Sequence, residues 1–425
     1  MSTTLPRTAA TIGGPTQVLT DDEVRSFVSD VLADVDLDGQ SLCLVVPDGT
    51  RSCPLGLLVT AVQEATAGRI SRLTILVALG THAAMNDSAL ESMLGTDGRR
   101  LADAFPGAVI VNHEWWKPEA FVALGTIAAD TVDSLSGGLL REPVQVRINR
   151  EVVEHDVVLV VGPVFPHEVV GFSGGNKYFF PGVAGPEIID LSHWLGALIT
   201  SSAIIGTPGV TPVRALIDTA AALIPTRKLA LCVVNASGVN ALHSLAFGSP
   251  EQAWERAAEV SAETHVRYLD APVKRVVSVM PARYEDMWTG AKGFYKVEPV
   301  VAEGGEVIVY APGITQMSAM HPEIVEIGYH CKDFFAAQWD DYRGYHWGVL
   351  AHSTHLRGAG TYDPETRTED FRVQVTLATG IPEDVVRRAN LQYLSPDAVD
   401  LDALRADPDT LVVGNAGEIL FRLRS

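Results

Sequence analysis

A glycine-rich stretch between residues 166 and 185 constrains this chain more than any other part of its sequence. Glycine loses more conformational entropy on folding than other residues and adds no side chain to a core, so a glycine run is unfavourable unless the backbone must turn sharply or approach a ligand closely. An apolar run at 157–161 precedes the stretch, and a helical pattern follows it at 186–205. A strand, a glycine-rich loop and a helix in this order are typical of ligand sites in α/β proteins.

Short apolar runs alternate with amphipathic runs over most of the chain. The apolar runs are as expected of strands buried on both faces, and the amphipathic runs repeat at helical spacing. Predicted strands cover 42–46, 73–79, 108–111, 156–161 and 228–234. Predicted helices cover 21–37, 54–67, 87–95, 186–205 and 249–265, and residues 1–18 are predicted to be a loose arm. The alternation predicts an α/β fold with a mostly parallel sheet and crossover helices.

The length of 425 residues predicts two domains, because single cores rarely grow beyond about 300 residues. The tripeptide Asp270-Ala271-Pro272 interrupts the pattern and suggests a boundary. We therefore predict an N-terminal cofactor-binding and catalytic domain at 1–270. A smaller α/β C-terminal domain at 271–425 is predicted to close over the substrate, with the site in the cleft between the domains.

Composition excludes several classes of partner. The net charge of −20 argues against nucleic acid, whose phosphates need a basic surface, and against an anionic membrane surface. The four cysteines are scattered without a Cys-x-x-Cys pair, as expected of free thiols in a reducing compartment. No apolar run approaches the roughly 20 residues that span a bilayer, and residues 1–15 do not resemble a signal peptide. We therefore expect a cytoplasmic protein.

Polar side chains gather where the predicted strands end. Asp48, Arg51, His82 and His167 each follow a strand closely, and such loops meet at one edge of a parallel sheet. Histidine titrates near neutrality and suits a general base or a metal ligand. An arginine in this position is suited to bind a carboxylate with its planar fork, and Lys292 is a candidate for a second positive charge.

The glycine-rich stretch is not a standard phosphate loop. Asn176 stands where the second glycine belongs, and Tyr178 replaces the Ser/Thr that binds magnesium. Lys177 is a candidate either to bind an anion or to form a covalent adduct, and the residues alone leave both open. The sequence has no standard zinc spacing. His346, His352 and His355 form a cluster that we interpret as a polar loop rather than a metal site.

Three motifs resemble those of the lactate racemase family. The first is His167-x-x-x-Gly-x-Ser-Gly-Gly-x-Lys177, followed by Pro-Gly-x-x-Gly and by His193, sixteen residues after the lysine. The second is Asp48-Gly-Thr-Arg51, and the third is Gly-Thr-His82. The resemblance extends from about residue 20 to the C-terminus and is weaker in the C-terminal part.

The resemblance implies a nickel-pincer nucleotide, in which nickel is bound to a pyridinium-3-thioamide-5-thiocarboxylic acid mononucleotide. By motif position, Lys177 would be its covalent attachment and His193 would bind the nickel. His82 and His167 would be paired acid/bases that racemise or epimerise a 2-hydroxy acid by hydride transfer to and from the cofactor. The remaining cofactor contacts would be Asp48, Arg51, Ser173, Gly174 and Gly175.

The predicted substrate pocket departs from the family pattern. The family has Tyr-Gln just before the substrate-binding lysine, whereas this chain has Trp288-Thr289 before Lys292. We therefore predict a 2-hydroxy acid other than lactate, either malate-like, aromatic or a sugar acid. Arg51, Lys292, Trp288, Thr289 and Trp339 are the predicted substrate-binding residues.

Two alternatives remain open from the sequence. His82, His167 and His193 are also candidates for a metal triad in a hydrolase or lyase. Alternatively, the chain is a non-catalytic carrier of the pincer cofactor. The predicted partners are a small 2-hydroxy acid and the proteins that synthesise and insert the cofactor.

Overall fold

A computed structural model describes residues 8–49, 52–80, 82–236 and 241–424, and the chain divides into two compact units. The first unit is made from the described residues up to Phe165 together with Phe172–Ile189 and Pro208–Thr264. Its centre is a seven-stranded sheet. The strand order is Ala10–Gly13, Leu242–Gly248, Arg227–Asn235, Val157–Pro163, Ser41–Pro47, Arg72–Ala78 and Ala108–Asn112.

Five neighbouring strands of this sheet are parallel, and this confirms the predicted α/β class. Ser41–Pro47 lies between two parallel neighbours, and all its residues except the first are buried. Its unbroken apolar sequence therefore follows from coverage on both faces. The helices that join and cover the strands are Asp21–Ala33, Leu55–Thr66, Asp87–Met93, Leu101–Ala104, Ala129–Ser136, Arg150–Val153, Pro212–Ala221 and Pro250–His265.

Two parts of the first unit differ from the prediction. Residues 1–18 were predicted to be a loose arm, but Ala10–Gly13 is a strand that pairs with Leu242–Gly248 at the sheet edge. Its residues are alternately exposed and half-buried, so it lacks the apolar run that marks a central strand. The antiparallel pair Phe121–Ile127 and Val144–Asn149 was also not predicted.

The second unit contains a sheet of five parallel strands. Their order is Gln392–Tyr393, Val373–Thr379, Val301–Ala311, Val273–Val279 and Thr410–Val413. Two further strand pairs are Val266–Leu269 with Leu420–Leu423 and Gly360–Asp363 with Thr368–Phe371. The helices are Ser201–Ile204, Met287–Gly290, Lys292–Tyr295, Ile324–Ile327, Lys332–Ala337, Trp339–Tyr342, Trp347–Arg357, Glu383–Arg388 and Leu401–Ala406.

The second unit also takes two segments from the middle of the chain, Pro166–Gly171 and Asp190–Thr207. The sequence-based division after residue 270 assigned both segments to the N-terminal domain. The helix Pro186–Ile199 begins in the first unit and ends in the second. The chain passes from the first unit to the second inside this helix, so no change of composition marks the boundary in the sequence. Among the described residues, no helix combines the length and apolar composition needed to cross a bilayer.

Candidate active site

An aspartate and a histidine form a close pair in the first unit. Strands Ser41–Pro47 and Arg72–Ala78 are adjacent and parallel, so the loops that follow them begin side by side. Asp48 Oδ2 lies 2.5 Å from His82 Nδ1. The His82 carbonyl accepts a hydrogen bond from Trp115 Nε1 at 2.9 Å. The structure thus brings together two of the predicted site residues; Arg51, Thr50 and Thr81 lie outside the described residues.

The glycines of the central stretch pack against the protein itself. Gly174 has φ +86°, and a Cβ at this position would lie 2.5 Å from Val164 Cγ2. Gly175 has φ +57°, and its Cβ would lie 2.8 Å from Trp254 Cβ. Other residues rarely adopt such φ values, so the turn and its packing both require glycine. The close approach at these two positions is to protein atoms.

The same turn fixes Ser173 and Lys177. The Ser173 hydroxyl accepts a hydrogen bond from the Phe165 amide at 2.9 Å. Lys177 lies in the 3-10 turn Gly175–Tyr178 and is half-buried. Its amide donates to the Gly174 carbonyl, and its carbonyl accepts from the Gly182 amide, both at 3.2 Å. The backbone that carries the lysine amine is therefore held from both sides.

A buried arginine that was not predicted from the sequence supports the turn. Arg214 Nη1 donates to the Gly174 carbonyl at 3.0 Å, and Nη2 donates to the Phe172 carbonyl at 2.5 Å. Its guanidinium carbon lies 4.2 Å from the Trp254 ring centroid. Burial lowers the pKa of Arg214 to about 10. The one signal in the sequence is an arginine on the apolar face of the helix Pro212–Ala221.

Asn176, the residue that excluded the phosphate loop, has a structural role. Its Nδ2 donates to Asp218 Oδ1 at 2.9 Å and to Glu251 Oε1 at 2.7 Å. Its buried Oδ1 has no hydrogen-bond partner in the described part of the chain. Burial raises the pKa of Asp218, and Arg214 and Asn176 act in the opposite direction. The amide therefore joins the turn to two helices through carboxylates.

His167 belongs to the second unit and is buried. Its Nδ1 accepts a hydrogen bond from the Val169 amide at 3.2 Å. Glu168 Oε2 lies 3.3 Å from the same nitrogen. Because the amide hydrogen already points at Nδ1, we assign the proton of the neutral ring to Nε2. The Nδ1 of His82 also faces a carboxylate, but His167 Nδ1 differs in that it accepts a backbone amide hydrogen.

The cluster His346, His352 and His355 was predicted to be a polar loop, and this prediction is wrong. His352 and His355 are buried in the helix Trp347–Arg357, whereas His346 precedes it and its side chain is 69% exposed. His355 Nδ1 lies 2.5 Å from Ser201 Oγ, and its buried Nε2 has no partner among the described residues. Burial lowers the pKa of His355 to about 4; Glu168 opposes this effect, and His193 adds to it. His193 is half-buried on the helix Pro186–Ile199.

The predicted substrate residues fall into two groups in the second unit. Thr289 Oγ1 donates to Asp286 Oδ1 at 2.9 Å, so Thr289 is tied to the residue that caps its helix. Lys292 Nζ donates to the Thr289 carbonyl at 3.4 Å. Trp339 stacks instead on Trp194, with ring centroids 5.0 Å apart. Among the described residues, the other ring that Trp339 contacts is Trp347.

The described residues contain no group of three His, Cys, Asp or Glu side chains placed to hold a metal ion. A site with a single protein ligand is not affected by this finding.

Comparisons with known proteins agree with the sequence motifs. Residues 25–206 match the model of the lactate racemase N-terminal domain. A lactate racemase from Thermoanaerobacterium thermosaccharolyticum is 24% identical over 282 residues, which are 64% of this chain and 60% of that protein. The chain therefore spans less than two thirds of that relative's length.

Two solved structures share the fold. A protein from Thermotoga maritima superposes with a TM-score of 0.88 at 32% identity, covering 97% of this chain and 100% of that chain. The lactate racemase apoprotein from Thermoanaerobacterium thermosaccharolyticum superposes with a TM-score of 0.69 at 18% identity, covering 96% of this chain and 94% of that chain. These matches define an α/β protein with a racemase-type N-terminal domain. Residues 25–206 of the chain belong to the lactate racemase N-terminal domain family.

Proposed function

We propose that this protein is a racemase or epimerase of a 2-hydroxy acid that uses a nickel-pincer nucleotide. The observation that carries the proposal is the Asp48–His82 pair in a chain whose residues 25–206 match the lactate racemase N-terminal domain. A buried carboxylate at a strand end fixes an imidazole that is itself partly exposed. An oriented imidazole of this kind is suited to general acid–base catalysis near neutral pH.

The hydrogen bonds of the two histidines support complementary proton states. His82 Nδ1–H donates to Asp48, so Nε2 has a free lone pair and can accept the hydroxyl proton of a substrate. His167 Nδ1 accepts from the Val169 amide, so Nε2 carries a proton and can donate it. Inversion at C2 needs one acid and one base, and their roles exchange in the reverse direction. We therefore propose His82 and His167 as the acid/base residues.

The residues present fit the proposed cofactor in their chemistry. Lys177 offers a primary amine in a tightly held turn, and His193 offers one half-buried imidazole. Lys177 would hold the nucleotide covalently, and His193 would bind the nickel, with further contacts from Asp48, Arg51, Ser173, Gly174 and Gly175. When bound, the cofactor would accept a hydride from C2 of the substrate and return it to either face. The protein's part is to orient the substrate, to exclude water and to move the hydroxyl proton.

The substrate is proposed to be a 2-hydroxy acid other than lactate. Arg51 and Lys292 would bind its carboxylate, and Trp288, Thr289 and Trp339 would form the walls around its side chain. Thr289 is shorter than the glutamine of the family pattern, and its hydroxyl is engaged by Asp286. Compared with a glutamine, Thr289 therefore leaves more room for the substrate and offers it no free polar group.

Intact mass spectrometry tests the cofactor. Protein produced together with the cofactor-synthesis enzymes should carry an adduct, and Lys177→Arg should lack it. Absence of the adduct from the unmutated protein under these conditions would refute the proposed attachment. Protein produced without cofactor synthesis should be inactive, and racemisation by that protein would refute cofactor dependence.

Racemisation assays test the catalytic residues. His82→Ala and His167→Ala should keep the adduct but lose racemisation by about 10²–10⁴-fold, the usual contribution of a general acid or base. An adduct at Lys177 with no racemisation of any 2-hydroxy acid would favour a carrier of the cofactor. Full activity in either variant would remove that histidine from the proposed mechanism.

A further inference from the structure

Trp288 lies between two imidazoles. Its ring centroid is 4.3 Å from that of His321 and 3.9 Å from that of His352, with interplanar angles of 31° and 26°. The ring contacts of His352 in the described chain are with Trp288 and Tyr329, and His321 is not among them. The two imidazoles therefore cover opposite faces of the indole. An aromatic substrate has no face of Trp288 on which to stack.

His352 is oriented by a tyrosine. The Tyr329 hydroxyl lies 3.3 Å from His352 Nε2, and both side chains are buried. Burial raises the pKa of Tyr329, so its hydroxyl keeps its proton. Because the hydrogen bond of this buried hydroxyl within the described chain is the one to His352, we assign its proton to that bond and the proton of the neutral imidazole to Nδ1. The hydrogen bond of the His352 ring within the described chain is the one at Nε2, and Nδ1 does not belong to the fully buried atoms that lack a partner.

Four groups that act electrostatically on His352 are cationic or become cationic on protonation. Burial is the first cause that lowers the pKa of His352, and His355, His321, Lys292 and His193 lower it further. Two acidic groups lie nearby, and the charge of Asp286 reaches Tyr329. Asp286 caps its helix through Thr289, and Glu323 lies 3.4 Å from His321 Nδ1. The surroundings of His352 therefore favour the binding of an anion.

We propose that His352 Nδ1–H binds a second carboxylate of the substrate, beside the positive charge of Lys292, so that the substrate is a 2-hydroxy dicarboxylic acid. This inference rests on the proposed function, whose substrate class it narrows. A site with a donor for a second carboxylate discriminates against a substrate that lacks it, because the donor is then left without that partner. His352 is thus a specificity-determining residue, whereas an aromatic side chain is excluded by the covered faces of Trp288.

Binding to the apoprotein tests the inference without the cofactor. Isothermal titration with malate, lactate and 3-phenyllactate should give an affinity for malate at least tenfold higher than for the other two. His352→Phe keeps a flat ring against Trp288 but removes the donor, and it should reduce the malate affinity to that of lactate. His346→Phe, on the exposed histidine that precedes the same helix, should bind malate as the unmutated protein does.

Racemisation by the loaded enzyme gives a second measurement. The ratio of kcat/KM for malate to that for lactate should be at least tenfold in favour of malate and should fall toward one in His352→Phe. Equal use of both acids, unchanged by His352→Phe, would overturn this inference while leaving the proposed function intact. Loaded enzyme that racemises no 2-hydroxy acid would overturn the proposed function, and the titration would still decide whether His352 binds a carboxylate. Absence of malate binding in both forms would overturn the inference.

Discussion

Asp48 Oδ2 and His82 Nδ1 are 2.5 Å apart, and the two residues come from loops after neighbouring parallel strands. The carboxylate is buried, whereas the histidine side chain is 39% exposed. An aspartate that accepts the Nδ1 proton fixes both the tautomer and the direction of the ring. The Nε2 lone pair is then left to accept a proton.

The substitution Asp48→Asn should impair His82 without unfolding the protein. An asparagine amide can donate to Nδ1, and this would place the ring proton on Nε2, where the base is needed. We expect kcat of the loaded enzyme to fall by about 10²-fold, within the usual range for loss of a general base. The measurement is racemisation at equal cofactor loading. Asp38→Asn, at an exposed aspartate paired with Arg69, is the control and should keep full activity.

Gly174→Ala should destabilise the first unit by about 2–4 kcal/mol. A positive φ costs a non-glycine residue about 1–2 kcal/mol, and the added Cβ would collide with Val164 at 2.5 Å. Gly98 is a matched control, because its φ is +80° but a Cβ there would meet nothing within 4 Å. Gly98→Ala should cost only about 1–2 kcal/mol. Chemical denaturation measures both, and equal losses would show that packing at Gly174 is unimportant.

His113 should make the stability depend on pH. The ring is fully buried, with Nε2 facing the Ala184 carbonyl and Nδ1 accepting from Asn149 Nδ2. Burial lowers the pKa of His113 from 6.5 to about 4, and the Ala184 carbonyl opposes the shift. The unfolded chain therefore binds a proton between these pH values that the folded chain does not. Stability is lost as the pH falls, by about 2 kcal/mol between pH 7 and pH 5.

The substitution His113→Gln should remove this pH dependence, because glutamine keeps hydrogen-bonding groups but does not titrate. Thermal or urea unfolding at pH 7 and pH 5 gives the comparison. His346→Gln changes an exposed histidine and should leave the loss on acidification as it is in the unmutated protein. An unchanged loss in His113→Gln would assign the acid sensitivity to other groups.

The ion pair of Glu298 with Arg372 should be essential for the second unit. Glu298 is fully buried, and Arg372 Nη2 lies 3.3 Å from its Oε1. Burial raises the pKa of Glu298, and Arg372 is the largest opposing influence. Arg372→Met would leave a buried carboxylate without its counter-charge. We expect a loss of about 3–5 kcal/mol in the free energy of unfolding at pH 7.

Acidification should partly rescue Arg372→Met. The pKa of Glu298 is raised in the folded state, so its ionised carboxylate destabilises the folded protein at pH values above the ordinary pKa of glutamate. Protonation of the carboxylate removes this destabilisation as the pH falls. The difference between variant and unmutated protein should therefore shrink toward pH 4.5. Arg388→Met, whose partner Asp384 is 71% exposed, should cost less than about 1 kcal/mol at any pH. A deficit of Arg372→Met that stays constant with pH would contradict this account.

The sequence predicted the centre of the first unit because its strands are continuous apolar runs. The edge strand Ala10–Gly13 was not predicted, because one of its faces is exposed and its sequence is therefore not a continuous apolar run. The Asp48–His82 pair was predictable because both residues follow neighbouring strands. Arg214 was not, since its contact with the Gly174 carbonyl joins residues 40 positions apart through a side chain. His352 and His355 were interpreted as a polar loop because two polar imidazoles occupy the buried face of their helix, and the helical spacing of apolar residues is therefore not visible there.

The repeated passage of the chain between its two units limits how this protein can be rearranged. A graft of a relative's C-terminal part after residue 264 would exchange only one portion of the second unit. Pro166 and Leu198 would remain native, although their carbonyls accept hydrogen bonds from Lys296 and Lys332 in the exchanged portion. A working chimera must therefore exchange three stretches of sequence together. Recombination between homologues at one crossover would separate residues that have to match.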